Sequence, residues 1–253
     1  PELELPGRVQ YSAAITSMSA FKQRMRAGLI RLYGFSQTKI KVGVPEVDDV
    51  SSLARIRGTL GPGIDIRLDA NEAWTCSTLR ARLQSLEPFG ITAIEQPVPH
   101  AESDGLAELR RQISVPIMLD ESLCSETDAR HAIELGTCDL FNIRISKCGG
   151  FLNSLRLAAL AHQAGLRYQL GCQVGETGIL SAAGRHFATA VRNIRYLEGS
   201  YERFLVRERL TVEDLSFSYG GFAPTLTAPG LGISIDPAAL QRVTLATETY
   251  ELA

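Results

Sequence analysis

Ile64-Asp65-Ile66-Arg67-Leu68-Asp69 is a short apolar segment with β-branched residues that ends on a carboxylate. The same pattern returns in Ile91-Thr92-Ala93-Ile94-Glu95 and again in Pro116-Ile117-Met118-Leu119-Asp120. Runs of this composition and length are typical of buried β-strands. Their terminal carboxylates are 26 and 25 residues apart, which is the length of one strand followed by one helix. The segments therefore predict consecutive parallel strands joined by helices.

Comparable strands are predicted on both sides of these segments, at residues 9–15, 39–42, 140–143, 166–170 and 193–197. Amphipathic stretches between strands predict helices, among them residues 77–86, 103–112, 125–135, 152–164 and 178–190. Eight such units in about 250 residues favour an α/β fold of the (β/α)₈ TIM-barrel type. An open Rossmann sheet is disfavoured, because no G-x-G-x-x-G motif follows the first strand.

The alternation of strands and helices stops near residue 211. Residues 1–211 are therefore predicted to form the barrel, and residues 212–253, which include the Gly-rich and Pro-containing stretch 219–224, a C-terminal appendage.

The charge balance excludes several classes of partner. Lys and Arg number 26 against 28 for Asp and Glu, so the net charge is -2, without the basic excess that nucleic-acid binding needs. No apolar run approaches the roughly 20 residues that span a bilayer, so no membrane association is expected. The chain shows no secretory leader, and we expect a cytoplasmic location.

The five cysteines form no CxxC pair, which argues against a disulfide framework or a zinc site.

Asp69, Glu95 and Asp120 each end a predicted strand, so a parallel barrel would bring all three to its C-terminal mouth. Three converging carboxylates repel one another unless a divalent cation lies among them, and ligation by oxygen alone suits Mg²⁺ better than Zn²⁺. An Asp after a strand also often caps the next helix, but three in register favour the metal site.

Lysines are predicted at the same mouth. Lys39 and Lys41 share one face of a strand because side chains alternate with a period of two. Lys147 follows the strand at 140–143 and lies 27 residues after Asp120. A lysine crowded by a divalent cation and by a second lysine should have a lowered pKa, as a general base requires.

Five short motifs occur in order at the ends of the predicted strands: Lys39-Ile40-Lys41-Val42-Gly43, Leu68-Asp69-Ala70-Asn71, Ile94-Glu95-Gln96-Pro97, Leu119-Asp120-Glu121-Ser122 and Ile145-Ser146-Lys147-Cys148-Gly149-Gly150. Together they resemble the muconate lactonizing enzyme subgroup of the enolase superfamily, across residues 9 to 240. This subgroup also contains o-succinylbenzoate synthases, N-acylamino acid racemases and dipeptide epimerases.

The resemblance implies roles for individual residues. Asp69, Glu95 and Asp120 would bind Mg²⁺, with Mn²⁺ as the alternative ion, and Lys41 and Lys147 would be the acid and base on opposite faces of a small carboxylate substrate. Lys39 would support Lys41 and the developing negative charge. The remaining polar residues implied beside the substrate or the metal ligands are Asn71, Glu121, Glu176 and Glu198.

The sequence departs from the family pattern in two places. Family members normally begin with an N-terminal capping domain that closes over the mouth, whereas this chain starts almost at the first barrel strand. We therefore expect the cap to be absent from this chain, either through truncation or because a separate polypeptide supplies it. After strand eight, dipeptide epimerases carry Asp-x-Asp, but this chain has Glu198-Gly199-Ser200, which disfavours a dipeptide substrate.

The resemblance implies abstraction of a proton α to a carboxylate through an enediolate. We expect a Mg²⁺-dependent cycloisomerase or syn-dehydratase, of the muconate lactonizing or o-succinylbenzoate synthase type. The alternative within the family is an N-acylamino acid racemase or epimerase. The alternative of another class is a non-catalytic or partner-dependent barrel. A homo-oligomer is also expected.

Overall fold

The computed structural model describes residues 6–16 and 18–250, in which strands and helices alternate through most of the chain. The strands are β1 Arg8–Gln10, β2 Ala13–Ile15, β3 Gln37–Lys41, β4 Asp65–Asp69, β5 Ile91–Glu95, β6 Ile117–Leu119, β7 Leu140–Ile143, β8 Arg167–Leu170, β9 Ile194–Leu197 and β10 Phe222–Pro224. The α-helices are α1 Ala20–Leu32, α2 Asp49–Leu60, α3 Cys76–Leu86, α4 Leu106–Leu109, α5 Glu126–Leu135, α6 Phe151–Gln163, α7 Gly178–Ala190, α8 Glu202–Leu205 and α9 Pro237–Val243.

Strands β2 to β9 form one eight-stranded sheet in chain order, and every neighbouring pair is parallel. The Ser12 amide donates to the Leu197 carbonyl at 2.8 Å, which brings the last strand beside the first. The Tyr201 hydroxyl donates to the Ser12 carbonyl at the same junction. These contacts curve the sheet into the predicted TIM-type barrel, and that prediction is confirmed.

The single strand predicted at residues 9–15 is wrong, because this stretch forms two strands. β1 pairs antiparallel with β10, whereas β2 pairs parallel with β3. Between them the Tyr11 amide donates to Gly221 and the Ser12 amide to Leu197, so the chain changes partner within two residues. The apolar pattern alone could not show which strand each half would pair with.

The helix predicted at residues 103–112 is also wrong over most of its length. The chain instead forms a 3₁₀-helix at His100–Gly105 and a single α-helical turn, α4. Ser103, Asp104 and Gly105 favour turns because short polar side chains compete for backbone hydrogen bonds and glycine is costly in helices. The helices predicted near α3, α5, α6 and α7 are confirmed within one residue at each end.

Side chains alternate between the barrel interior and the helical layer. Residues such as Ile66 and Leu68 are fully buried in the main apolar core, which includes residues of the surrounding helices. Inside the barrel, a separate small apolar cluster is formed by Ala93, Met118, Leu140 and Tyr196. Two residues further along their strands come Glu95, Asp120, Asn142 and Glu198, so the interior changes from apolar to polar towards the mouth.

Residues 206–250 include β10, α9 and an antiparallel bridge between Thr211 and Ile235. The pairing of β1 with β10 joins this stretch to the start of the chain at the N-terminal end of the barrel strands. Among residues 6–16 and 18–250, no helix combines the length and the apolar character needed to cross a membrane.

Replacing Gly221 with alanine is expected to destabilise the β1–β10 pairing. Gly221 has φ +76°, and an added Cβ would overlap the Tyr11 carbonyl oxygen. The left-handed conformation alone costs a non-glycine residue about 1–3 kcal/mol, and urea unfolding measures the total. Gly63→Ala is the control, because a Cβ there meets no atom within 4 Å. Equal stability of the two variants would contradict this close approach.

Candidate active site

Charged side chains collect at the C-terminal ends of β3 to β7. Lys41, Asp69 and Glu95 are neighbours across three strands, since Lys41 pairs in register with Asp69 and Asp69 with Glu95. Asp120 directly follows β6 and Arg144 directly follows β7. Asp69, Glu95 and Asp120 are all buried. The strand ends therefore bring the predicted carboxylates to one side of the barrel.

Lys39 lies at the centre of the buried charges. Its ammonium nitrogen is 3.1 Å from Asp69, 3.4 Å from Glu95 and 3.0 Å from Glu198. The Arg67 guanidinium, which is fully buried, contacts Glu198 at 2.6 Å and stacks over the Tyr196 ring. Lys39 is thus an internal counter-ion for three carboxylates, and Glu198 is held inside the barrel by two cations.

The charges around Lys39 shift the pKa values of its partners in opposite directions. Burial opposes the charge of Lys39, but Glu198, Glu95 and Asp69 together raise its pKa well above the ordinary value. Burial also opposes ionisation of Glu198, yet Lys39 and Arg67 lower its pKa to about 2. For Glu95, burial prevails over the attraction of Lys39 and raises the pKa to about 7. Glu198 is therefore the firmly charged partner.

Asp120 is fixed by two cations and by a buried amide. The Lys147 ammonium lies 2.8 Å from Asp120 Oδ1 and also donates to the Asp120 and Asn142 carbonyls. The Arg144 guanidinium pairs with Asp120 Oδ2 and lies 3.9 Å from Glu95. Gln96 accepts a hydrogen bond from the Asp120 amide at 2.9 Å, so it positions the backbone that carries this carboxylate.

Glu95 accepts hydrogen bonds from two amides inside the barrel. Asn142 Nδ2 is 2.7 Å from Glu95 Oε1, and Gln169 Nε2 is 3.3 Å from Oε2. Both amide residues are fully buried. They hold the carboxylate in one orientation, facing Lys39 and the mouth.

The other predicted residues lie around this centre. The Asn71 amide donates to Asp69 Oδ1 at 3.1 Å, and the Asn71 side chain donates to Glu121 at 3.3 Å. Glu176 accepts from the Gln173 amide at 2.8 Å, and burial raises its pKa. Lys41 is exposed, and within the described residues its ammonium makes no hydrogen bond or ion pair. Lys41 is therefore free to meet a molecule at the mouth.

The three carboxylates of Asp69, Glu95 and Asp120 offer the oxygen ligands that a hard divalent cation such as Mg²⁺ prefers. As placed, however, no three acidic, histidine or cysteine side chains in residues 6–16 and 18–250 are close enough together to hold a metal. Lys39, Arg144 and Lys147 neutralise the carboxylates instead. The residues fit such an ion by type and position, and binding would require Asp69 and Asp120 to exchange their ion pairs for it.

Sequence reasoning missed Arg144, Gln96 and Arg67. Arg144 lies 24 residues after Asp120, so it continues the series of strand-end residues and could have been found by that spacing. Arg67 lies two residues before Asp69 and shares its inward face by the period of two. Gln96 lies in the Ile94-Glu95-Gln96-Pro97 motif, but the sequence does not show its role, because that role depends on the neighbouring loop after β6.

The eight-stranded parallel barrel, with carboxylates and lysines at its strand ends, places this chain among the α/β-barrel proteins that have a candidate metal site at the mouth. A family model described as "Enolase C-terminal domain-like" matches residues 21–239. The chain belongs to this family, and the resemblance to the enolase superfamily is confirmed.

The relatives span several reactions of this superfamily. The chain is 34% identical over 214 residues to the N-succinyl-L-Arg/Lys racemase of Bacillus cereus, covering 84% of this chain and 56% of that protein. It is 32% identical over 206 residues to muconate cycloisomerase 1 of Rhodococcus opacus, covering 80% and 54%. The chain thus spans about half the length of these curated relatives.

A solved structure shows the same architecture with ligands bound. The dipeptide epimerase of Cytophaga hutchinsonii, complexed with Mg and the dipeptide D-Ala-L-Val, superimposes with a TM-score of 0.84 at 29% identity. The match covers 93% of this chain and 63% of that one.

The pKa of Glu95 predicts how the stability of the metal-free chain changes with pH. The pKa is raised from an ordinary value of 4.5 to about 7, so the folded state favours the protonated acid. The free energy of unfolding should therefore be highest below pH 4.5, where Glu95 is protonated in both states. It should fall by on the order of 3 kcal/mol as the pH rises through about 7 and the buried acid must ionise. Glu95→Gln should flatten this decline in urea unfolding between pH 4.5 and 8. The same slope in both proteins would contradict it.

Proposed function

We propose that this chain is the barrel part of a Mg²⁺-dependent isomerase or lyase that removes a proton α to a carboxylate. The observation that carries the proposal is the set of three buried carboxylates at successive strand ends, each neutralised by a cation. Asp69, Glu95 and Asp120 would hold the ion, and Mn²⁺ is the alternative. When bound, the ion would supply positive charge to the substrate carboxylate.

The charge balance supports an anionic substrate. Ion pairs connect four cations (Lys39, Arg67, Arg144 and Lys147) with four carboxylates (Asp69, Glu95, Asp120 and Glu198). With all of them charged the network is neutral, so a divalent cation would add two positive charges. One substrate carboxylate and the negative charge that develops on proton loss would offset this excess.

Two lysines are proposed to transfer the proton. Lys41 is unpaired within the described residues and projects beside Asp69, on the β3 side of the mouth. Lys147 comes from the loop after β7, and burial lowers the pKa of its ammonium to about 8. A neutral amine is therefore accessible near neutral pH, as a general base requires. Lys39 stays protonated and stabilises negative charge.

Cycloisomerisation or syn-elimination is the leading reaction, and racemisation of an N-acylamino acid is the second. Similarity to muconate cycloisomerase supports the first, and similarity to an N-succinylamino acid racemase supports the second. A dipeptide substrate is less well supported, although a structural neighbour binds one, because Glu198 is held by Lys39 and Arg67 inside the barrel. Both carboxylate oxygens of Glu198 are therefore already paired, and neither is available to a substrate ammonium.

We also propose that a further polypeptide segment covers the mouth during turnover. Lys41 is exposed, and Val174, in the loop after β8, is 89% exposed. Covering such a mouth excludes water and strengthens the electrostatic interactions in the site. A capping domain, within the same protein or supplied separately, would have this effect. The homo-oligomeric state stays a prediction.

A panel of three substrates tests the proposed reaction. The chain with Mg²⁺ is incubated with muconate, an N-succinylamino acid and a dipeptide, while absorbance reports muconate loss and chiral chromatography reports inversion. We expect muconate loss or N-succinylamino acid inversion, abolished by EDTA and restored by Mg²⁺. Turnover that continues unchanged in EDTA would contradict a metal-dependent site.

A further inference from the structure

Arg144 occupies the strand-end position that follows Asp69, Glu95 and Asp120 in the series. It comes directly after β7, and its side chain is only 13% exposed. The guanidinium points across the mouth, where Nη2 pairs with Asp120 and lies 3.9 Å from Glu95. An arginine in this place is a fixed cation beside the candidate metal ligands.

One edge of the Arg144 guanidinium, formed by Nε and Nη2, has an N–H group without a hydrogen-bond partner among the described residues. Nη1 donates to Gln173 Oε1 at 3.1 Å, which anchors the outer nitrogen to the loop after β8. Nε is buried and has no hydrogen-bond partner among the described residues. The remaining nitrogen, Nη2, is held by Asp120 alone at short range. A buried unpaired donor is costly, so the Nε position favours an added acceptor.

Metal binding at Asp120 would free the second nitrogen of the same edge. An ion ligated by Asp120 would replace the positive charge that Arg144 supplies to this carboxylate. The parallel N–H groups of Nε and Nη2 would then be available as the fork that binds a carboxylate in a bidentate manner. The hydrogen bond from Arg144 Nη1 to Gln173 would keep the guanidinium oriented in that case.

We infer that Arg144 binds the substrate carboxylate through its Nε and Nη2 edge, an inference that rests on the proposed function. Because a guanidinium keeps its proton in proteins, Arg144 orients the carboxylate and stabilises its negative charge but transfers no proton. Arg144 therefore selects substrates with a carboxylate at the reacting carbon. Proton transfer is left to the lysines.

Calorimetry with N-acetylglycine tests this assignment, since this probe carries a single carboxylate, on an achiral carbon, and cannot be racemised. With saturating Mg²⁺, Arg144→Gln should weaken probe binding by about 10–100-fold, the usual range for a charged hydrogen-bonded contact. Arg144→Lys keeps the charge without the fork and should also bind more weakly than the unmodified chain. Arg156→Gln, an exposed arginine on α6, is the matched control and should bind normally.

A second readout separates this role from a merely structural one. Without the probe, Arg144→Gln should bind Mg²⁺ more tightly, because the guanidinium no longer competes for Asp120. Unchanged probe affinity in both Arg144 variants, or no probe binding by the metal-loaded unmodified chain, would overturn the inference. In that case Mg²⁺-dependent turnover of the substrate panel would leave the proposed function intact. Should Arg144→Gln fail to fold, Arg144→Lys decides the question.

Discussion

Replacing Glu198 with glutamine is expected to lower the free energy of unfolding by about 3–5 kcal/mol, the usual cost of removing one partner from a buried ion pair. Glu198 lies 3.0 Å from Lys39 and 2.6 Å from Arg67, and its own side chain is only 5% exposed. The neutral amide would leave Arg67, which is fully buried, without its nearest negative charge. Chemical denaturation measures the difference from the unmodified chain.

The pH dependence of this difference has a defined sign. The pKa of Glu198 in the folded chain is about 2, below its ordinary value of 4.5. Its stabilising contribution is therefore present above pH 4.5 and is lost as the pH falls towards 2. Glu208→Gln is the control, since Glu208 pairs with Arg242 on the surface and should contribute at most about 1 kcal/mol. Similar losses in both variants would contradict the importance of the buried network.

Replacing Lys41 with alanine is expected to reduce exchange of the α-proton that faces Lys41 by about 10²–10⁴-fold, the usual contribution of a positioned general acid or base. Lys41 ends β3 beside Asp69, and its ammonium is free of ion pairs within the described part of the chain. Since the side chain is exposed, its loss should leave the stability of the fold nearly unchanged. Exchange is measured by NMR in D₂O under saturating Mg²⁺.

Lys22→Ala is the matched control for Lys41, because Lys22 is an exposed lysine in the first turn of α1. It should keep full exchange. Exchange by Lys41→Ala at the rate of the unmodified chain would remove Lys41 from the mechanism. If Lys147→Ala alone abolished exchange, proton transfer would belong to the loop after β7 instead.

The positions of Asp69, Glu95 and Asp120 could be predicted because each directly ends an apolar strand in a regular series. Parallel pairing then fixes which end of the barrel they occupy. Lys39 could be placed on the same face as Lys41 by the period of two, but its ion pairs with Asp69 and Glu95 were not predicted. These predictions depend only on periodicity and chain order, which are visible in a single sequence.

The contacts of Arg144 and Gln96 could not be predicted in the same way. They depend on the distance between loops that follow different strands, as between Gln96 and the Asp120 amide. The division of residues 9–15 into β1 and β2 depends on β10, more than 200 residues later. Such long-range choices leave no periodic pattern near the residues that make them.

Mg²⁺-dependent exchange of the α-proton for deuterium tests the central proposal most directly, because exchange reports proton abstraction whatever the product. The chain is incubated in D₂O with a panel of carboxylates that includes N-succinylamino acids and muconolactone, with Mg²⁺ or with EDTA, and the α-proton signals are followed by NMR. We expect the signal to disappear with Mg²⁺ and to persist with EDTA, and also in Glu95→Gln. Retention of the α-proton with Mg²⁺ by every carboxylate of the panel, or loss at equal rates in EDTA, would contradict it.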